Sequence, residues 1–389
     1  MNIIKIRKDT VGCESIVHFN NAGSALMPRP VVEAITKYLT DEELGGGYEV
    51  AEKRWTELSK FYDHAAQLLK CNSRNIAYTT NATDSYNRAL SAVHFKDGDV
   101  VLVTENDYPS NFIAFISLQK RFGINIVRVK NTSAGEIDLD DLERKIKQHA
   151  PRLVSVTHVP TSSGLVQPIN HIGKIVAKYD SLFLVDACQS LGQIPVDAIR
   201  CGADFISGTL RKFLRGPRGA GILYVSDKAL AAGLEPLFID LRGAQWIAEN
   251  EYRPRPDAKR FEDWETSYAL MMGSQRALEY LLSIGIENVE QRNEELNSRL
   301  REGLSQLGKR LLDKGKNQCS IITFSVDGRT ETEVRNFFKE KRINIYTISK
   351  SSAIMDFLEK GVEWVVRVSP HYYNTENEID QFVEAAKQL

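Results

Sequence analysis

Three short stretches of this chain hold residue types that could do chemistry together. In Asp186-Ala-Cys-Gln189 a carboxylate follows directly on the apolar run Leu182–Val185. A carboxylate at the end of a buried strand is costly without a cationic partner. The carboxylate is either a structural salt bridge or cap, or it faces a cationic ring nitrogen of a ligand. In Gly208-Thr-Leu-Arg-Lys-Phe-Leu-Arg-Gly-Pro-Arg-Gly-Ala-Gly221, four cations (Arg211, Lys212, Arg215 and Arg218) sit among glycines, with Phe213, Leu214 and Pro217 interleaved. The interleaving argues against a loop that merely faces solvent. The loop opens onto the strand-like run Ile222–Val225, whereas a dinucleotide fingerprint follows a strand and opens a helix, and there is no GxxxxGK[ST] either. In Thr80-Asn-Ala-Thr-Asp-Ser85, small polar residues follow the run Ile76–Thr79 and open a helical pattern. Such a start serves as an ordinary cap or as a phosphate cradle built from free N–H groups.

Taken jointly the three are more informative. A phosphate-suited helix start, a strand-end acid and a loop lysine occur in that order along the chain. Pyridoxal phosphate needs this set: a cradle for its phosphate, an acid on its ring nitrogen and a lysine for the Schiff base.

The elements that must position them alternate. Ile76–Thr79, Val100–Val103, Asn125–Val129, Leu153–Thr157, Leu182–Val185, Phe205–Ser207 and Ile222–Val225 read as strands. Between them Asp84–His94, Asn111–Phe122, Leu139–His149 and Ile169–Tyr179 have helical period. Alternation of this kind implies a mostly parallel, seven-stranded sheet covered on both faces, an α/β architecture whose ligands bind beyond the strands' carboxyl ends. Helices are expected before it, at about Pro30–Glu43 and Tyr48–Lys70, broken by Gly45–Gly47. After Trp264 the texture changes: long helices over Gly273–Ile284 and Glu287–Leu312, then strands at Ser320–Val326, Ile343–Thr347 and Trp364–Val368, a helix at Glu331–Lys341 and a closing helix from Thr375. Arg253-Pro-Arg-Pro-Asp257 reads as a loop. The expected division is an N-terminal segment 1–30 lining the site, a large cofactor-binding domain 31–268 and a smaller C-terminal α/β domain 269–389.

Composition narrows the classes. Fifty Lys+Arg against 51 Asp+Glu leave a net charge of −1, which disfavours a dedicated nucleic-acid binder. No stretch is apolar enough for a membrane span or a signal peptide. The five cysteines (13, 71, 188, 201 and 319) form no CxxC pair, so neither a zinc site nor a disulfide framework is expected, and reduced thiols in a cytoplasmic protein are.

At these residues the sequence resembles the class V aminotransferase and cysteine desulfurase-like family of fold-type I pyridoxal-phosphate enzymes. The resemblance runs from His18-Phe-Asn-Asn-Ala-Gly23 to Arg367-Val-Ser-Pro-His-Tyr-Tyr-Asn-Thr375. It implies that Lys212 forms the Schiff base, that Asp186 pairs with the pyridine nitrogen and that Gln189 reaches the phenolic oxygen. It gives the phosphate to Ala82 and Thr83, helped by Ser207. Tyr108 takes the place of the stacking ring, and Thr161 lies beside the cofactor. Arg367 matches the arginine that grips the substrate α-carboxylate, and the Asn20–Gly23 stretch, with Asn21, lines the same pocket. Arg260-Phe-Glu-Asp-Trp-Glu-Thr266 resembles the stretch that reaches a partner subunit's cofactor, which implies a homodimer and a cofactor role for Thr266. His158 and His371 read as structural, and Cys188 as packing.

Two departures from the family pattern set the expected reaction. The family's desulfurases carry a cysteine on a mobile loop shortly before the terminal arginine, but no cysteine occurs from 320 to 389. The family's His-Lys pair is here Arg211-Lys212. The loop and Ser369-Pro-His-Tyr-Tyr-Asn-Thr375 look most like the hercynylcysteine sulfoxide lyase branch, with isopenicillin N epimerase-like proteins nearby. The expectation is therefore a carbon–sulfur lyase that eliminates a sulfur leaving group from a cysteine conjugate or sulfoxide, giving pyruvate and ammonia. A class V aminotransferase or an epimerase is the alternative, and a desulfurase is disfavoured. A binding protein without catalysis is opposed by the intact set of Lys212, Asp186, Gln189 and Arg367.

Overall fold

A computed structural model describes residues 1–389. Its centre is a seven-stranded sheet in the order Ile76–Thr79, Gly221–Val225, Phe205–Thr209, Leu182–Asp186, Leu153–Thr157, Val100–Val103, Asn125–Arg128. Leu153–Thr157, Phe205–Thr209 and Gly221–Val225 are buried along their whole length, as expected for strands covered on both faces. Helices on the two faces build two separate apolar cores. The sheet is mixed: Gly221–Val225 runs antiparallel to both of its neighbours, and every other pair is parallel.

Register decides where the chemistry falls. Thr157 pairs with Asp186, and Asp186 with Ser207. Thr209 pairs with Gly221, and Gly221 with Thr79. The reversed strand therefore starts at the edge where the parallel strands end. Asp186, Thr209 and the helix start after Thr79 are gathered along one rim.

A three-stranded antiparallel sheet, Ile322–Phe324, Trp364–Val368 and Tyr346–Ser349, carries Arg367 on its central strand, opposite Thr323 and Tyr346. The N-terminal stretch bonds to C-terminal elements and, through the Ala25 N–H on the Arg211 carbonyl at 2.9 Å, to the loop after Thr209. Val17–His18 pairs with Ile343–Asn344, and Asn20 bridges to Ser369. The helix Tyr268–Ile284 packs against the helices Arg29–Gly45 and Lys60–Leu69. The apolar cluster of the small sheet takes Phe19 from the N-terminal stretch and Leu296, Leu300 and Leu304 from the long helix Ile286–Gln306.

Several elements differ from expectation for local reasons. The single helix expected over Tyr48–Lys70 is two, Gly47–Leu58 and Lys60–Leu69, jointed at Ser59. The strand expected at Ile343–Thr347 divides between two sheets, Ile343–Asn344 and Tyr346–Ser349. Arg253 and Pro254, expected in a loop, end the second strand of a hairpin formed by Ala244–Ala248 and Glu251–Pro254. Pro254 is tolerated there because the two-stranded ribbon leaves an outer edge unpaired. A short helix at Ile354–Lys360 had no clear periodic signal.

Candidate active site

The rim encloses a cavity of ≈ 340 Å³, lined by the start of the helix Ala82–Ser91, by Tyr108 and Asn111, by Thr157 and Thr161, and by Asp186, Cys188, Gln189, Thr209, Arg211 and Lys212. Each of the three stretches singled out in the sequence contributes to this one wall.

Lys212 is 7% exposed and has no carboxylate within ion-pair range. Burial, with Arg211 and Arg367 nearby, pulls its amine down to about 8. Its Nζ lies 6.0 Å from the centre of the Tyr108 ring. The backbone around it is tightly held. The Arg215 N–H closes a turn on the Lys212 carbonyl at 2.9 Å, and the Gly216 N–H donates to the Leu210 carbonyl at 2.7 Å. Gly192 makes the close approach possible: it sits at φ 93°, and a Cβ there would lie 2.4 Å from the Phe213 carbonyl carbon.

Asp186 is buried and bonded on both oxygens. Asn111 Nδ2 donates to Oδ2 at 2.8 Å, and the Cys188 N–H donates to Oδ1 at 2.9 Å. No basic side chain pairs with it directly, so the structural-cation explanation of its burial is not what the geometry gives. A cationic atom in the cavity is the partner its position asks for. Beneath it, Thr157 Oγ1 donates to Asp107 at 2.9 Å and accepts from the Tyr108 N–H at 3.3 Å, and burial pushes the Asp107 carboxyl up to about 7.

The helix start has the character of an anion cradle. Asn81 caps by accepting from the Asp84 N–H at 2.9 Å, while the N–H groups of Ala82 and Thr83 have no protein partner. Gly221 lets this turn close on the sheet, since a Cβ there would lie 2.6 Å from the Asn81 carbonyl carbon. Arg211, Arg218 and Thr209 complete the wall.

Arg367 is 4% exposed and also lacks a carboxylate. One of its terminal nitrogens donates to Thr161 Oγ1 at 2.6 Å, the other reaches Asn20 Oδ1 at 3.4 Å, and its Nε has no partner. Burial, with Arg211 close by, draws it down to about 10. A buried arginine holding only neutral oxygens is an anion site awaiting its anion. Gln189 Nε2 bonds the Ala22 carbonyl at 3.2 Å and Thr161 Oγ1 at 3.4 Å, and its Oε1 is unpartnered.

Ala82, Thr83, Tyr108, Thr161, Asp186, Gln189 and Lys212 thus share one cavity. Ser207, Asn21 and Thr266 lie elsewhere. The Ser207 hydroxyl is buried without a partner behind the rim, and Thr209, one strand period further on, faces the cavity in its place. Asn21 is fully buried and spends its amide on the Ser369 carbonyl at 2.7 Å and on the Tyr373 hydroxyl. Thr266 lines a separate small cleft with Arg242 and Glu262 that meets the cavity wall at Thr80. The sequence reading missed Asn111 and Thr209. Asn111 stood in the quoted Asp107-Tyr-Pro-Ser-Asn111 stretch, but nothing there says that its amide turns back to Asp186.

The donor set fits pyridoxal phosphate. Free helix-start N–H groups and two arginines suit the phosphate, Asp186 suits a protonated ring nitrogen, and Lys212 is an amine that burial makes easier to deprotonate. All of these line a cavity whose mouth Tyr108 can cover.

The chain belongs to the class V aminotransferase family, whose model matches residues 17–382. The fold is that of fold-type I pyridoxal-phosphate enzymes. A probable cysteine desulfurase of Pyrococcus abyssi is 28% identical over 99% of this chain and 96% of its own length. Relatives from Methanothermobacter thermautotrophicus and Borreliella burgdorferi bear the same name, at 27% and 24% identity. The apo structure of a cysteine desulfurase from Thermococcus onnurineus superposes with a TM-score of 0.91 at 25% identity, covering 99% of this chain and 97% of that one. A structure of a C-DES mutant with glycine covalently linked to its PLP cofactor superposes at 0.87 over 98% of this chain and 99% of that one, and at 23% identity it shares the fold. These findings overturn the expected carbon–sulfur lyase. Full-length relatives are consistently named cysteine desulfurases, and these relatives do not support the hercynylcysteine sulfoxide lyase branch over that reading. The argument for elimination rested on the look of the Arg211-Lys212 loop and Ser369–Thr375 and on a missing loop cysteine. That absence bears on where sulfur goes, and not on how its bond to carbon is broken.

Proposed function

We propose that this chain is a pyridoxal-phosphate-dependent cysteine desulfurase, an enzyme that removes the sulfur of L-cysteine and leaves L-alanine. The observation that carries the reading is the pair Lys212 and Arg367. Both are buried and both lack a carboxylate: Lys212 lines the cavity with Asp186, and Arg367 is bonded to Thr161 of its wall, in a chain whose full-length relatives bear that name.

In this reading Lys212 holds the cofactor through Nζ, Asp186 faces the ring nitrogen, and Tyr108 covers the ring. Gln189 meets the phenolic oxygen and Thr161 flanks it. Ala82, Thr83, Thr209 and Arg211 take the phosphate, while Ser207 and Asn21 support the wall from behind. When bound, pyridoxal phosphate supplies an electron sink for the bond broken at Cα. Everything else belongs to the protein. Arg367 binds the α-carboxylate by a two-pronged charge-assisted contact, and Thr161 fixes its guanidinium. The Lys212 amine, its hold on its proton weakened by burial, takes the Cα proton and returns a proton after sulfur has left. Asn111 keeps Asp186 turned toward the ring.

We also infer a homodimer. Exposed apolar side chains within one short stretch support it, with Leu237 64%, Phe238 86%, Leu241 67% and Trp246 78% exposed, placed in sequence around Arg242 of the cleft that holds Thr266. The same reading keeps the three-part division at 30/31 and 268/269. It also keeps a cytoplasmic location, supported by five cysteines that are all free. No helix is long and apolar enough to cross a membrane.

The test is product analysis. Holoenzyme given L-cysteine and a thiol should yield alanine in step with sulfur release. Pyruvate and ammonia without alanine would sink the proposal.

A further inference from the structure

Desulfuration needs a sulfur acceptor, and this chain offers no suitable one of its own. Cys201 and Cys319 are buried. Cys13 and Cys71 are part-buried and do not line the cavity, and burial raises their thiols to about 11 and about 12. Cys188 does line it, but burial and neighbouring Asp186 hold its thiol well above the ordinary range, so little thiolate is present. The segment that flanks the mouth, Ser349–Asp356, holds serines and no cysteine.

Beside the mouth lies a second cavity, of ≈ 250 Å³, floored by Phe112 and Ile116 and walled by Ile113, Ile354 and Met355. It meets the catalytic cavity at Thr161, which lines both and which Arg367 grips. Tyr108 of the first cavity is flanked in the chain by Asp107 and Pro109 of the second. The outer wall is fixed. Lys360 and Asp356 form an ion pair at 2.6 Å with both side chains 3% exposed, and Lys360 Nζ also donates to the Ser162 carbonyl at 3.1 Å. The short helix Ile354–Lys360 is thereby pinned to the loop that carries Thr161. Apolar side chains that stay open to solvent beside a charged catalytic cavity are a subsite for something apolar.

We propose that this annex binds a small external thiol with an apolar body, which enters beside Thr161 and accepts the sulfur directly. The inference rests on the desulfurase reading and names its second substrate. The step balances without an outside redox partner. The C–S bond of cysteine breaks and an S–S bond forms to the acceptor. The sulfur is oxidised from thiol to sulfane level and Cβ is reduced to the methyl of alanine, with the acceptor's thiol proton ending on Cβ. The released product is a hydropersulfide.

The experiment supplies holoenzyme and L-cysteine with either 2-phenylethanethiol or 2-mercaptoethanol, and measures alanine and the hydropersulfide by mass spectrometry. Alanine formation should saturate at roughly tenfold lower concentration of the phenyl thiol. Ile116→Asp and Met355→Glu should each raise that half-saturation roughly tenfold while the KM for cysteine stays within about twofold. A second readout needs no turnover. The unreactive 2-phenylethyl methyl sulfide should bind both apo and holo protein by saturation-transfer NMR, and Ile116→Asp should weaken that binding by the same rough tenfold. Equal half-saturation for both thiols would overturn the annex, as would persulfide accumulating on Cys188 without added thiol. No alanine with any thiol, while the sulfide still binds, would remove the desulfurase reading, and the acceptor role with it.

Discussion

Lys212 and Arg215 belong to the same turn, carry the same formal charge and are both buried, yet their surroundings are opposite. Arg215 is 1% exposed and saturated with partners: the Leu26 carbonyl at 2.9 Å, the Tyr372 hydroxyl at 2.8 Å and Thr10 Oγ1 at 2.6 Å. The rings of Tyr373 and Tyr372 lie 4.4 and 5.1 Å from its guanidinium carbon. Despite burial its pKa is raised, the tyrosines outweighing desolvation. Lys212 has no such partners, and burial lowers it. One cation is locked in its charged form and ties the N-terminal segment to the C-terminal Tyr372-Tyr373 pair. The other is left without such compensation and gives up its proton far more readily than an ordinary lysine. Burial does not make a group catalytic; burial without compensation does.

The sharpest way to break that comparison is to remove each cation in turn. Lys212→Ala should lower alanine formation by roughly 10³–10⁴-fold, because the proton carrier is gone. It should leave the apoprotein as stable as wild type or more so, since an uncompensated charge is removed. A clear fall in the denaturation midpoint would contradict this. Arg215→Met should do the reverse. It leaves the Leu26 carbonyl, the Tyr372 hydroxyl and Thr10 short of a partner, and should cost about 2–3 kcal/mol in urea denaturation. Unchanged stability would show that the aromatic cage contributes little.

Asn111 offers a finer test on the acid side. Asn111→Leu removes the amide that holds Asp186 Oδ2 and should reduce kcat roughly 10- to 100-fold with little change in the KM for cysteine. Asn111→Gln should restore part of it. A shift in the holoenzyme's cofactor absorbance should accompany the loss, because the hold on the ring nitrogen is altered. A change in KM alone would make Asn111 a wall residue.

How much of this was legible beforehand follows from what a one-dimensional pattern encodes. The strands were readable because each is a short apolar run closed by turn residues, and Asp186 and Lys212 because each follows such a run. The side chains that orient them were not. Asn111 reaches Asp186 across 75 positions. Arg367 reaches Thr161 across 206. Ser207 and Thr209 could be told apart only by how far the strand continues. It runs on to Thr209, which puts that residue on the rim and Ser207 behind it. The Lys360–Asp356 pair that pins the annex wall looked like any surface i,i+4 pair, and only the fold buries it.

The smallest effect tests the charge state of Lys212 itself. Burial holds its amine in the folded apoprotein at about 8, below an ordinary lysine's 10.5. A lowered lysine is neutral above its folded value and protonated below it. The neutral amine is the form that condenses with an aldehyde. The rate at which apoprotein takes up pyridoxal phosphate, followed by the absorbance of the Schiff base, should therefore rise roughly tenfold from pH 7 to pH 9 and level off beyond. The cofactor's phosphate is already largely dianionic above pH 7 and adds little slope. Arg367, at about 10, stays cationic through most of the window and adds little more. In Arg215→Met the midpoint should stay where it is, because the partners of Arg215 do not touch the amine. A rate still climbing at pH 10 would mean that Lys212 has an ordinary lysine's affinity for its proton, and the contrast between the two cations of the turn would then be one of packing alone.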